Sequence, residues 1–181
     1  MRKVYFTQQG FTLVELVIGM LLTVLLLAGI GSLLSVTVQS WMSGSSRTEV
    51  RQTARYAMDM MVRELRYANT FIKETPLPNN AVDSIKFSDL AAPTPNQYRY
   101  YLKTSDHILY RVPVSPAGSE QPVTGANVSG STNVVINQDN TTVFEVLDSN
   151  TVVITLTATD TVRNESYTLR SVVVSITQYL K

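Results

Sequence analysis

Cysteine is absent from all 181 residues, so disulfides, thiol nucleophiles and thiolate metal sites are excluded. Histidine occurs once, at His107, and a lone imidazole with no second imidazole or thiolate has nothing with which to build a metal site. Proline does not occur before Pro76, so no ring clash interrupts a helix in that stretch. Charge is nearly missing from the first quarter of the chain: between Phe11 and Ser46 the only ionisable side chain is Glu15. Carboxylates elsewhere are scattered, with no paired or Glu-x-x-His spacing, and the many Ser and Thr hydroxyls have no base at hand. The expectation is a protein that is not an enzyme and holds no metal or cofactor. A large excess of either sign is lacking as well: 15 Lys+Arg face 14 Asp+Glu, a formal net charge of +1, which does not call for nucleic acid.

What is present is an unusual N-terminus. Arg2 and Lys3 lead, Gly10 and Phe11 follow, and residues 16–38 form a run of 23 without charge. About 20 apolar residues cross a hydrocarbon core as a helix, so this run is long enough. The leading cations favour a cytoplasmic N-terminus. A secretory signal peptide predicts an apolar region of roughly 7–15 residues followed by a small-residue cleavage site; here the run continues past Ala28-Gly29-Ile30-Gly31. Glu15 is the costly residue. A carboxylate in a span costs roughly 2.5–3.5 kcal/mol at mid-helix, and less near the interface. Two readings are open: a Glu that snorkels to the headgroups, or one that pairs with a free amine created on Phe11 by cleavage after Gly10.

Beyond Ser43-Gly44-Ser45-Ser46 the helical period continues. Val50, Ala54, Ala57/Met58, Met61, Leu65, Ala68 and Ile72 make one face, and Arg47, Arg51, Arg55, Asp59, Arg63 and Arg66 the other. One helix from Phe11 to about Phe71 is expected, with weak points at Gly29, Gly31, Ser32 and Gly44 and an Asp59–Arg63 pair on its exposed side. Residues 47–73 hold six cations and three anions, and residues 74–181 seven cations and ten anions. The arginine face reads as solvated, as a nucleic-acid stripe, or as a contact for acidic surfaces of neighbours.

After Pro76 and Pro78 the pattern turns to short strands. Residues 84–90 and 97–103 alternate, Thr104-Ser105-Asp106 is a turn, and Ile108, Tyr110 and Val112 alternate back as a hairpin. Residues 113–131 read as a long loop. Residues 134–137, 143–147, 152–157 and 167–178 are further strands, with Asp148-Ser149-Asn150 a second hairpin turn. No helical pattern separates them, so the sheet is expected to be antiparallel, and the fold class α+β. Asn137-Gln138-Asp139-Asn140-Thr141 offers hard oxygens for calcium but reads as a plain turn, lacking the glycine and bidentate Glu of an EF-hand.

Gly10-Phe11-Thr12-Leu13-Val14-Glu15, followed directly by the span, resembles the N-terminal signal of type IV prepilins and type II secretion pseudopilins. The resemblance implies a leader at 1–10, cleavage between Gly10 and Phe11 by a prepilin peptidase and N-methylation of Phe11. It also implies that Glu15, the fifth mature residue, neutralises the N-terminus of an adjacent subunit. The mature chain would lose Arg2 and Lys3. Residues 51–66, with Phe87, residues 98–102 and Leu109-Tyr110-Arg111, are similar to W-type minor pilins and J-type pseudopilins. A mid-span proline and a C-terminal disulfide, seen in many major pilins, are missing.

The expected organisation is a leader at 1–10, a transmembrane helix and filament core at 11–42, and an exported domain at 43–181. That domain divides into an amphipathic helix at 43–73 and a β-rich part at 84–181. The expected function is a minor pilin or pseudopilin subunit, assembling through its N-terminal helix in a priming or tip role. Its expected partners are the prepilin peptidase, other pilins or pseudopilins, an inner-membrane assembly platform and, before assembly, membrane lipid. It would sit in the bacterial cytoplasmic membrane with the C-terminal domain outside, then in a pilus or pseudopilus at the envelope or surface. The alternative is a filament-tip binding module, an adhesin or DNA-capture subunit, using the arginine face or the 113–131 loop. A membrane-anchored enzyme is the third reading.

Overall fold

The computed structural model describes residues 10, 12–78, 80–89, 96–125 and 133–176. One helix, α1 (Leu13–Arg66), is followed by nine strands: β1 (Thr70–Lys73), β2 (Ala81–Ser88), β3 (Gln97–Lys103), β4 (Leu109–Ser115), β5 (Gln121–Pro122), β6 (Val134–Ile136), β7 (Phe144–Asp148), β8 (Thr151–Asp160) and β9 (Ser166–Val174). This is the α+β arrangement expected, a long N-terminal helix packed on antiparallel sheets. The chain divides into two units, Met1–Ser43 and Gly44–Lys181.

In the first unit the helix buries nothing. Leu16, Leu22, Leu26 and Leu33 are all more than half exposed, and so are most of its other large apolar residues. The expected weak points at Gly29 and Gly31 do not interrupt it. Its hydroxyls serve the helix itself: Thr23 donates to the Gly19 carbonyl at 2.8 Å, Ser32 to Gly29 at 2.8 Å, Ser35 to Gly31 at 3.1 Å and Thr37 to Leu33 at 2.8 Å. Such back-bonding satisfies each hydroxyl within the helix itself.

The second unit opens with the remainder of α1, and here the helical period becomes a core. Val50, Ala54, Ala57, Met58, Met61 and Leu65 are buried together with Ile85, Phe87, Tyr100, Leu102 and Leu109 of one sheet and Phe144, Val152, Ile154 and Leu156 of the other. Burying a side chain of Leu or Met size contributes about 1.5–3 kcal/mol, far more than helix propensity. The expected Asp59–Arg63 ion pair is not formed among the described residues.

The helix stops at Arg66 instead of running on to 73, and the strands begin at Thr70 instead of 84. Amides of Tyr67 and Ala68 close the last turn on Glu64 and Leu65 at 3.2 and 3.1 Å. Residues 70–73 then pair with β2, Phe71 opposite Phe87. Phe71 is buried, while Ile72, expected on the apolar helix face, is 54% exposed. Successive residues of a strand point to opposite sides, so with Phe71 turned into the core its neighbour Ile72 faces out.

The strands form two sheets. The first is a meander in the order β1-β2-β3-β4-β5. In the second, β8 is central: β9 runs along one edge, while β7 pairs with residues 151–154 and β6 with residues 158–160 of the other. Asp83, buried on β2, joins the sheets. Its Oδ2 accepts the Val143 and Phe144 amides at 2.7 Å each, and Oδ1 accepts from Lys73 Nζ, which also donates to the Phe144 carbonyl at 2.8 Å. The 113–131 segment is not a featureless loop: β4 extends to Ser115 and β5 returns beside it. Residues 126–131 of that segment, Leu90, and residues 177–178 of the expected last strand lie outside the described residues.

Candidate processing and assembly site

The sequence places its site at Gly10, Phe11 and Glu15. Gly10 is exposed, and a Cβ built there meets nothing within 4 Å; the leader residues 1–9 and Phe11 lie outside the described residues. Glu15 is exposed and sits in the first turn of α1. Its carboxylate is not idle. Oε2 accepts the Thr12 amide and the Thr12 hydroxyl, both at 3.1 Å, while the Glu15 amide donates to Thr12 Oγ1 at 3.2 Å. The first intrahelical bond follows, Leu16 N–H to the Thr12 carbonyl at 3.2 Å.

This is a reciprocal capping box. Thr12 is the N-cap, Glu15 stands three positions on, and each satisfies an amide of the other that the helix leaves without a partner. The two readings drawn from the sequence, snorkelling or pairing, did not include it. The signal was present as Thr12-Leu13-Val14-Glu15, a Thr-x-x-Glu before an apolar run. Among the described residues, Oε1 of Glu15 has no partner. One oxygen therefore caps the helix, and the other is open to a donor from outside the chain. The residue capped, Thr12, directly follows the residue that would carry a new N-terminus.

The arginine face is exposed throughout. Arg47 pairs with Glu165 at 3.0 Å, and the Arg51 guanidinium lies 5.6 Å from the centre of the Tyr167 ring. On the opposite side of the helix, Glu64 reaches the first sheet: Tyr100 Oη donates to its Oε2 at 2.7 Å and Arg111 Nε at 2.8 Å. Arg111 also stacks 4.1 Å from the Tyr98 ring centre. Burial, and then the Glu64 carboxylate, push the Tyr100 hydroxyl well above the ordinary tyrosine value, so it stays a neutral donor. Burial alone would lower Arg111, but the Glu64 carboxylate offsets this and holds it raised.

The 137–141 segment is a turn closed by its own side chains. The buried Asn137 donates from Nδ2 to the Thr141 carbonyl at 3.1 Å and accepts the Thr157 amide at 2.7 Å. Asp139 Oδ1 accepts the Thr141 hydroxyl at 2.8 Å. His107 is not on a strand but ends the β3–β4 turn with φ of 52°.

Fold and site together describe an α+β protein whose exposed apolar helix, long and apolar enough to cross a membrane, begins at a capped carboxylate. Comparison with known families matches residues 6–31 to the prokaryotic N-terminal methylation motif, which supports a type IV pilin or pseudopilin subunit, processed by a prepilin peptidase and assembled with other pilins. No curated protein and no solved structure matches the chain.

Proposed function

We propose that this protein is a minor pilin or pseudopilin, cut between Gly10 and Phe11, methylated on Phe11, and built into a filament through α1 in a priming or tip role. It acts as a structural subunit and not as an enzyme. Before assembly it is a single-pass protein of the bacterial cytoplasmic membrane, N-terminus inside and C-terminal domain outside, from which an inner-membrane platform draws it. The observation that carries this reading is Glu15: one carboxylate oxygen caps its own helix, and the other has no partner among the described residues. In a dry bundle of like helices, an unpaired carboxylate costs several kcal/mol, enough to select the docking that supplies an ammonium.

The processing step is tested by N-terminal sequence and intact mass from membranes, with and without the peptidase. The expected product begins at Phe11 and is one methyl group heavier than the bare chain; an uncut chain, or a cut near Ala28–Gly31, rejects it. The pairing step is tested by Glu15→Val and Glu15→Gln. Glutamine can still complete the capping box but carries no charge. Both variants are expected to be processed normally and to enter filaments at least about tenfold less, the ratio that ~1.4 kcal/mol sets. Normal entry of Glu15→Gln would reject charge pairing.

The exposed arginines support a second reading, a DNA-capturing tip. Among the described residues Arg55, Arg63 and Arg66 have no carboxylate within ion-pair distance. DNA affinity that falls with salt and is weakened by Arg55→Ala and Arg63→Ala would favour it; no binding at low salt would remove it.

A further inference from the structure

The chain contains one tryptophan, Trp41. It stands three positions past Val38, the last residue of the apolar run, and it is 75% exposed. Its indole N–H has no acceptor among the described residues. Around it the character of the helix changes: Val36 and Val38 precede it, and Ser43, Gly44 and Ser45 follow.

Lengths give the position meaning. At about 1.5 Å per residue, residues 16–38 span about 35 Å, against about 30 Å for a hydrocarbon core. The helix from Glu15 to Trp41 is about 39 Å long, against about 40–45 Å for the bilayer with its headgroups. A near-upright span therefore sets the Glu15 carboxylate in one polar belt and the indole in the other. An indole, apolar in body with one donor at its edge, suits that belt better than either water or acyl chains.

We infer that Trp41 is the interfacial anchor of the unassembled subunit, seated at the boundary of headgroups and acyl chains on the side of the exported domain. The inference rests on the membrane-span reading above. The anchor fixes how far the helix slides along the bilayer normal. It thereby holds Glu15 at the opposite interface, where the carboxylate stays hydrated until assembly. A second copy covering Trp41 is the competing occupant.

Because Trp41 is the sole tryptophan, its fluorescence reports this one position. The full chain is placed in phosphatidylethanolamine–phosphatidylglycerol vesicles carrying lipids brominated either high on the acyl chain or near its end. The expected result is a blue-shifted emission quenched severalfold more by the shallow bromines. Stronger quenching by the deep bromines overturns the anchor. Strong quenching by aqueous iodide alone overturns it too, and so does blue-shifted emission that no quencher reaches, the mark of cover by another copy. In each of these cases the protein still resists alkaline extraction, so the span reading survives. A chain that alkali extracts overturns the span reading, and the anchor with it.

A second readout uses the absence of cysteine. Ser43→Cys supplies a single thiol, labelled by an impermeant maleimide from the side of the exported domain. Adding Trp41→Ala is expected to slow labelling severalfold as the span slips inward, and Trp41→Tyr to restore it. An unchanged rate in the Trp41→Ala background overturns the anchoring role.

Discussion

One helix crosses two regimes. From Leu13 to Ser43 it buries no side chain, although most of its residues are large and apolar; from Gly44 to Arg66 it has eight buried residues. Both stretches are continuous α-helix, yet they are stabilised from opposite directions. The second is held by contacts within its own unit. The first has its hydroxyls satisfied internally and its apolar surface covered by nothing among the described residues, and so large an exposed apolar surface suits a membrane or another protein surface. A helical pattern in a sequence therefore does not tell where its stabilising partner lies; the distribution of charge does. A stripe of five arginines from Arg47 to Arg66 lies opposite the buried face in one half, and a lone Glu15 is the only charge in the other.

The sharpest way to test this division is through one carboxylate from each region. Asp83→Ala removes the carboxylate that pairs with the partly exposed Lys73 and leaves the buried amides of Val143 and Phe144 without their acceptor. The second unit is expected to lose about 2–6 kcal/mol, about 1–3 for each buried amide left unsatisfied, read from its urea midpoint by tyrosine fluorescence in detergent. Glu15→Ala, in the same assay, is expected to leave that midpoint where it was. Equal effects would mean that the two regions are not energetically separate.

Two leucines make the same comparison without charge. Leu65 is fully buried and Leu26 is 68% exposed. Leu65→Ala is expected to destabilise the second unit by about 2–5 kcal/mol through lost transfer energy and the cavity left behind. Leu26→Ala is expected to fall within about 0.5 kcal/mol of the parent. A loss in filament yield by Leu26→Ala with an unchanged midpoint would place its partner outside the chain, as the comparison requires.

These contrasts also explain what could be read from sequence and what could not. The span, the processing motif and the buried face from Val50 to Leu65 were legible because each rests on a repeated or clustered local signal. The end of the helix was not. Ala68 and Ile72 keep helical spacing, and only the pairing of Phe71 with Phe87 ends the pattern. The inward face of β4 was hidden by its charge: Arg111 pairs in register with Tyr100, on the same side, and is tolerated there because Glu64 reaches it from the helix. The join between the two sheets is made by Asp83 meeting amides about sixty residues away, which no local pattern encodes. The capping box was legible but overshadowed, since Thr12 and Glu15 also belong to the processing motif.

That cap sharpens the comparison from the exposed side. Thr12→Val removes the hydroxyl that accepts the Glu15 amide and is expected to cost the first turn about 1 kcal/mol, visible as faster amide exchange at residues 13–16 in micelles. The second unit is expected to keep its exchange rates. Protection unchanged at the first turn would mean that the cap contributes nothing in a detergent environment and that Glu15 is free for its other role.

The smallest effect expected is a response to acid that belongs to the second unit alone. Asp160 is buried at the end of β8, where it accepts the Ser46 hydroxyl and the amides of Val162 and Arg163. Burial pushes its carboxyl up, but the Ser46 hydroxyl and those amides together hold it below the ordinary aspartate value. A carboxyl depressed in the folded state stabilises fully above its unfolded value and loses that contribution as pH falls through the folded one. The advantage of the parent over Asp160→Asn is therefore expected to be constant near neutrality and to shrink only below about pH 4. Urea midpoints at about pH 6 and about pH 2.5 measure it. An advantage of equal size at both would show that shape, not charge, ties Ser46 to β8, and that the junction where α1 passes from one regime to the other is insensitive to protons.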